Sequence, residues 1–362
     1  GFIMTQVFKN ITDKDHEQIV YCNDPSSGLK AIIAIHSTAL GPALGGCRMY
    51  PYKNEDDALI DVLRLSRGMT YKASIANLNL GGGKAVIIGD PKKDKSEVLL
   101  RSFGKFVDSL NGKYITAEDV GMSVYDMEFI RMETKHVTGI QRAMGGSGDP
   151  SILTALGLYV GMQAALKKKL NINSMKGLKV GIQGLGKVGY YLCENLKKDD
   201  VEIYGYDIDK NRLNTAVEEH GLIPVSNDEL LSMELDIFSP CALGAVINPS
   251  SIKTLKCAVI AGAANNQLEK ESRDSKLLSE KGIMYVPDYV INSGGLMNVA
   301  NELQGYNKDK AKYQVEGIYH ILMRIFDYAL SNKISTLEAA NHLAERRIEE
   351  FVRWNHKWIE KQ

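Results

Sequence analysis

Leu178-Lys179-Val180-Gly181-Ile182-Gln183 runs directly into Gly184-Leu185-Gly186-Lys187-Val188-Gly189, and Val201-Glu202-Ile203-Tyr204-Gly205-Tyr206 follows and ends on Asp207. The pattern predicts strand, glycine turn, helix, strand and acid. A G-x-G-x-x-G turn is informative only in that setting, where it marks a dinucleotide site. Gly184 permits the tight turn, Gly186 lets backbone approach a pyrophosphate, and Gly189 lets the helix pack closely. The helix N-terminus, with Leu185, Lys187 and Val188 as further cofactor-contact candidates, offers free N–H groups and a positive dipole end to the phosphates. An acid at Asp207 suits the 2'-hydroxyl of NAD and repels the 2'-phosphate of NADP. An ordinary glycine turn accounts for the glycines but not for Asp207.

The chain has 362 residues, room for about two domains. Acids and bases balance at 44 each, so nothing global favours nucleic acid or an anionic membrane. No apolar run is long enough to span a bilayer, and no secretory pattern is read. The five cysteines (Cys22, Cys47, Cys193, Cys241, Cys257) are scattered and lack C-x-x-C spacing, which points to a reducing cytoplasm rather than a disulfide framework. The seven histidines show no H-x-x-H spacing, so no metal is expected.

The dinucleotide segment does not open the protein. Before it, Ala31–His36, Lys84–Ile88 and Lys113–Thr116 read as strands. Asn54 caps a helix carrying Ala58, Leu59, Val62, Leu63 and Leu65, and Asp94 with Glu97 reads as a capping box. Gly145-Gly146-Ser147-Gly148-Asp149-Pro150 is the strongest break. The expected architecture is therefore an N-terminal α/β domain (residues 1–145) followed by a Rossmann-type domain (146–335), with a cleft between them. The helix near residues 336–362 is expected to pack back on the first domain. Asp236–Phe238, Ala258–Ala261 and Met284–Val286 read as further Rossmann strands. One long amphipathic helix is expected to carry Val315, Ile318, Leu322, Ile325, Phe326 and Ala329. Trp354 and Trp358, four apart, suggest docking or subunit contact.

In the first domain, Gly68-Met69-Thr70-Tyr71-Lys72 ends the capped helix on a lysine. Leu80-Gly81-Gly82-Gly83-Lys84 reads as a triple-glycine turn leading Lys84 to the mouth of a buried strand. Burial and a second nearby cation both favour a neutral amine, a usable base near neutral pH. Spacing alone leaves both lysines open as surface groups at element ends. Asp119, past the Tyr114–Thr116 strand, is the natural acid partner or else a loop acid. Gly41–Gly46 and Ala261–Asn266 are further turns that expose backbone.

These segments together resemble the amino-acid dehydrogenases of the glutamate/leucine/phenylalanine/valine family, most of all its leucine-acting members. The resemblance runs from about Phe8 to Glu349. It is carried by Gly41–Arg48, Arg67–Lys72, Asn79–Asp90, Tyr114–Gly121, Gln183–Gly189, Ser239–Gly244, Ala261–Leu268 and Pro287–Val299. It implies oxidative deamination of an L-amino acid to a 2-oxo acid and ammonia, with NAD as hydride acceptor. Lys72 would then hold the α-carboxylate, helped by Gly45 and Gly46, with Met69 beside it. Lys84 would act as general base, Asp119 would move protons at the substrate nitrogen, and Asn265 would orient substrate and nicotinamide. Cys241, Ala242 and Ala263 would also contact the cofactor.

By position in the resemblance, Leu44, Ala117, Leu296 and Val299 line the side-chain pocket. They are aliphatic, which suits leucine, valine and isoleucine. Leu296 replaces the valine usual in leucine-acting relatives, so phenylalanine or tryptophan remains the alternative. One methylene changes discrimination by only about 1–3 kcal/mol. A non-catalytic NAD-binding regulator need not keep Lys72, Lys84 and Asp119 together. A hydroxy-acid dehydrogenase would want a histidine–carboxylate pair, and His36 and His136 read as structural. Family members assemble, so a homo-oligomer, octamer or dimer, is expected.

Overall fold

The computed structural model describes residues 7–12, 15–242 and 244–359, with backbone only at residues 10 and 355–359. It has two compact units. One takes the chain to Asp149, with Val299–Tyr306 and the stretch from Ala344; the other comprises Pro150–Asn298 and Asn307–Leu343. Each is an α/β layer structure, so the expected fold class holds.

The first unit is built on a mixed five-stranded sheet of order β1-β2-β4-β3-β5. Its strands are β1 (Gln18–Asp24), β2 (Leu29–Ser37), β3 (Ala43–Tyr50), β4 (Gly81–Ile88) and β5 (Tyr114–Glu118). β3 runs parallel to both β4 and β5, while β2 is antiparallel to β1 and β4. Side chains alternate along a strand, so β2 serves two cores. Ile33 and Ile35 pack with Phe103, Val107, Met127 and Ile130 from the helices Glu97–Ser109 and Val124–Arg131. Ile32 and Ala34 pack with Leu59, Val62 and Leu63 of the helix Glu55–Ile75.

That long helix starts as the sequence predicts. Asn54 accepts from the Asp57 N–H at 2.8 Å, and Glu55, Asp56 and Asp57 complement the positive end of the dipole. Three local expectations fail. The expected turn Gly41–Gly46 is strand from Ala43 on, part of β3. The cap of the next helix is Ser96, which accepts from Leu99 N–H; Asp94 instead accepts from the Asp90 N–H. The three glycines before Lys84 lie inside β4 rather than in a turn. Their role is close approach: a Cβ on Gly82 would stand 2.1 Å from the Thr70 nitrogen, so the helix can lie against the strand only because no side chain intervenes.

The second unit has a six-stranded, wholly parallel sheet of order β11-β10-β9-β6-β7-β8. The strands are β6 (Lys179–Gln183), β7 (Glu202–Tyr206), β8 (Ile223–Pro224), β9 (Glu234–Pro240), β10 (Lys256–Ile260) and β11 (Met284–Tyr285). The chain winds outward from β6 to β8, then returns to pair β9 with β6 on its other side. This is the doubly wound order, whose reversal point is the ligand-binding crevice. The expected single amphipathic helix is two, Lys308–Glu316 and Ile318–Asn332, interrupted at Gly317. All six of its predicted apolar residues are buried nonetheless.

The last helix, Thr336–Ile359, contributes to both units. Near its start, the Thr336 hydroxyl donates to Tyr285 O and Asn341 accepts from Tyr289 OH. From Ala344 on it joins the first unit: Ser74 Oγ donates to Ala344 O at 2.7 Å, and Arg347 Nη1 donates to Leu78 O at 2.9 Å. Trp354 is exposed and meets only the Phe351 ring among the aromatic contacts; the Trp358 side chain lies outside the described residues. Among the described residues no helix is long and apolar enough to cross a membrane.

Candidate active site

In the first unit the glycines of β3 gather the predicted residues. A Cβ on Gly45 would lie 1.7 Å from Gly83 O and 3.3 Å from Met69 Cγ, and one on Gly46 would lie 2.9 Å from Asp119 Cβ. Gly45, Gly46, Gly83, Met69 and Asp119 are therefore packed closely together. The buried Tyr114 hydroxyl donates to Gly45 O at 2.7 Å and fixes that peptide. Lys72 follows Met69 by one helical turn, so both project from the same helix face. It is half-buried, and in the last turn its charge also complements the helix dipole.

Lys84 is 5% exposed, and its Nζ lies 2.9 Å from Asp119 Oδ1. The other carboxylate oxygen is taken by Arg48, whose Nε donates to Asp119 Oδ2 at 2.8 Å. Arg48 is in turn held by Asp61 at 2.9 Å, and Asp61 accepts from Tyr52 OH and Arg64. Burial by itself raises the Asp119 carboxyl, but Lys84 and Arg48 outweigh it and hold it at about 2, against an ordinary 3.8. Asp119 is thus ionised at any working pH while both cations are charged. Sequence reading missed Arg48 and Asp61 as site residues. Arg48 ends a quoted motif, but Asp119 lies 71 residues away and no local spacing links them.

The aliphatic candidates differ in placement. Leu44 is 2% exposed on β3, and Ala117 pairs in register with Gly46 across β3 and β5. Leu296, buried, and Val299, half-buried, stand three apart on the helix Gly294–Ala300 and share a face. His36 is buried with its Nδ1 2.8 Å from Thr70 Oγ1, a structural role.

In the second unit the glycine turn sits at the carboxyl end of β6, beside the end of β9. Gly184 has φ +98°, a conformation that favours glycine, and a Cβ there would stand 2.5 Å from Ala242 Cβ. Cys241 N–H donates to Gln183 O at 2.7 Å and ties the two strand ends together. A Cβ on Gly189 would lie 2.2 Å from Gly184 O, so helix and turn touch. A Cβ on Gly186 would meet nothing within 4 Å. Gly186 is also the N-cap of the helix Lys187–Lys197 and gives it no side-chain cap. The first turn of that helix, where Lys187 is exposed, therefore presents backbone N–H groups beside open space, as a pyrophosphate requires.

Asp207 follows β7 and is 8% exposed. Its Oδ2 accepts from Leu185 N–H at 2.6 Å and its Oδ1 from Asp209 N–H at 2.7 Å. A carboxylate has about four acceptor positions, so capacity remains for a ribose hydroxyl. At the end of β10, Asn292 Nδ2 donates to Asn265 Oδ1 at 2.7 Å and to Ala263 O at 3.1 Å. That contact orients the Asn265 amide, with its oxygen toward Asn292. Asn292 is buried and was not foreseen; it is 27 residues from Asn265.

Comparison with known proteins agrees with this geometry. Residues 16–136 match the model of the Glu/Leu/Phe/Val dehydrogenase dimerisation domain, and residues 202–353 match that of Glutamate/Leucine/Phenylalanine/Valine dehydrogenase. Leucine dehydrogenase of Thermoactinomyces intermedius is 53% identical over 95% of this chain and 94% of that enzyme. Phenylalanine dehydrogenase of Lysinibacillus sphaericus is 50% identical over 95% of this chain and 91% of its own. The crystal structure of L-tryptophan dehydrogenase from Nostoc punctiforme superposes with a TM-score of 0.86 at 46% identity, covering 95% of this chain and 99% of that one.

Proposed function

The chain belongs to the glutamate/leucine/phenylalanine/valine dehydrogenase family, and from that premise we propose reversible, NAD-dependent oxidative deamination of an aliphatic L-amino acid (leucine, valine or isoleucine) to its 2-oxo acid and ammonia. The chain is an amino-acid dehydrogenase. The observation that carries the reaction chemistry is the ion pair of buried Lys84 with half-buried Asp119 beside the glycine backbone of β3. A non-catalytic regulator has no use for such a pair.

The second unit's residues fit NAD: Gly184–Gly189 for the pyrophosphate, Asp207 for the ribose, and Cys241, Ala242, Ala263 and Asn265 toward the nicotinamide end. Bound there, NAD would supply the hydride acceptor. Lys72 holds the substrate carboxylate, with the Gly45–Gly46 backbone alongside. Hydride leaves Cα only from a neutral amine, so the ammonium must first lose a proton. Asp119 takes it only while Lys84 is neutral, because a charged Lys84 is one of the two cations that hold the carboxyl down. Water then adds to the iminium carbon and gives its proton to Lys84 Nζ. Asp119 returns its proton to nitrogen, the C–N bond breaks, ammonia leaves, and the hydroxyl proton and the one on Lys84 pass to solvent, which restores the neutral amine. One anchor and two proton handlers are what the chemistry demands.

The aliphatic preference rests on Leu44, Ala117, Leu296 and Val299, which offer no charge for a glutamate side chain, and on the leucine-acting relatives at up to 53% identity. A panel assay of NADH formation tests it. L-Leucine, L-valine and L-isoleucine should exceed L-phenylalanine and L-tryptophan in kcat/KM by about tenfold or more. A reversed order installs the aromatic reading, and no amino-acid-dependent NADH removes both.

Cofactor choice has its own test. Asp207→Asn removes the charge that repels a 2'-phosphate and weakens the ribose contact. The NAD KM should rise, and the NADP/NAD ratio of kcat/KM should increase by about 10- to 100-fold. An unchanged ratio would detach Asp207 from the ribose. The match of the first unit to a dimerisation domain supports a homo-oligomer, octamer or dimer, as the working form.

A further inference from the structure

We propose that Arg48 is a positioning residue for this reaction: anchored by Asp61, it fixes the Asp119 carboxylate toward Lys84 and leaves a permanent positive charge beside it when the lysine gives up its proton. The inference rests on the dehydrogenase reading above.

The geometry is a relay of alternating charge across the first unit. Lys84 Nζ lies 2.9 Å from Asp119 Oδ1, Arg48 Nε lies 2.8 Å from Asp119 Oδ2, and Arg48 Nη1 lies 2.9 Å from Asp61 Oδ2. Each Asp119 oxygen therefore has its own cation, and the two cations differ in kind. A guanidinium stays protonated in a protein, whereas a lysine ammonium titrates readily when buried. When Lys84 loses its proton, Asp119 keeps one partner, so it is neither set loose nor left as an unpaired buried charge. The fork is itself pinned. Asp61 accepts from Tyr52 OH at 2.7 Å and from Arg64 Nη2 at 2.9 Å, so Arg48 cannot swing away without breaking a second ion pair.

The other titratable groups that face Asp119 carry no charge at working pH. The Cys47 thiol and the Tyr114 phenol are both buried, and burial pushes each well up. Asp126 is paired with Lys95 at 2.7 Å. Glu118 precedes Asp119 in the chain at the end of β5. Arg48 is thus the permanent cation on Asp119 among the described residues.

The test compares Arg48→Met with Arg48→Lys. With methionine, Lys84 and Asp119 face each other alone, and the pair holds its proton more tightly. The rise of kcat/KM with pH should move upward by about one pH unit or more. With lysine the charge remains but one nitrogen cannot span both carboxylates, so kcat should fall about tenfold while the limb stays at the wild-type pH. A second readout needs no turnover: the pH midpoint for acylation of Lys84 by acetic anhydride, followed by peptide mass spectrometry. It should rise in Arg48→Met and stay in Arg48→Lys. NADH binding and the melting temperature report whether each variant is folded. If Arg48→Met does not fold, Arg48→Lys with unchanged kcat overturns the proposal. So does a folded Arg48→Met whose limb and labelling midpoint both stay in place. If the wild type forms no NADH from any amino acid, the dehydrogenase reading fails. The labelling midpoint then still reports whether Arg48 acts on the Lys84–Asp119 pair.

Discussion

Lys84→Ala should lower kcat for amino-acid oxidation by about 10²–10⁴-fold, the range for a missing general base. NADH binding should persist, because the glycine turn proposed to receive the dinucleotide belongs to the other unit. The substrate KM should change much less than kcat, since the proposed carboxylate anchor is Lys72. The fold should tolerate the change, because Asp119 keeps Arg48 as counter-ion at 2.8 Å. Steady-state kinetics beside a fluorescence titration with NADH separates these quantities. Equal losses of kcat and NADH affinity would point to a damaged protein, and an unchanged kcat would strip Lys84 of its role.

Asp119→Asn should be costly in two ways. It removes the proposed proton carrier for the substrate nitrogen, which should lower kcat by about 10²-fold or more. It also leaves Lys84 (side chain 6% exposed) without its ion-pair partner, while Arg48 retains Asp61. Breaking a buried pair on one side destabilises by about 3–5 kcal/mol. The amide still accepts a hydrogen bond, so the lower end is expected. The pH dependence has a definite sign. The Asp119 carboxyl is depressed in the folded state, from 3.8 to about 2, so its stabilisation is complete above the ordinary carboxylate range and is lost as pH falls. That depression corresponds to about 2 kcal/mol. The gap in melting temperature between wild type and Asp119→Asn should be full above about pH 5 and narrow toward pH 2. A gap that stays constant through that window would show that Asp119 is not held ionised by its neighbours.

The relation between sequence and structure is uneven for physical reasons. The dinucleotide turn was legible because its requirements are local. Strand, glycine and acid occur within 30 consecutive residues, and Gly184 and Gly189 each answer a nearby contact. The Asn54 cap and the buried Ala58, Leu59, Val62 and Leu63 after it were legible for the same reason, while Leu65, read with them, is only half-buried. Lys84 and Asp119 could be nominated but not joined from spacing, since β4 and β5 come together only through β3. Arg48, Asp61 and Asn292 escaped because hydrogen bonds across a fold leave no trace in spacing. The triple glycine misled because the same residues serve a turn and a strand crowded by a helix; only the Thr70 backbone beside Gly82 decides between them. Gly317 lay inside a continuous apolar stripe, and the stripe survives the break because both helices bury the same side.

A structure of the protein with NADH and the 2-oxo acid of leucine tests the central claim most directly. The oxo acid carboxylate should lie on Lys72 Nζ, and its carbonyl oxygen within hydrogen-bond reach of Lys84 Nζ, with Asp119 still paired to Arg48. An oxo acid seated away from both lysines, or Lys84 directed elsewhere in the complex, would contradict the assignment of anchor and base.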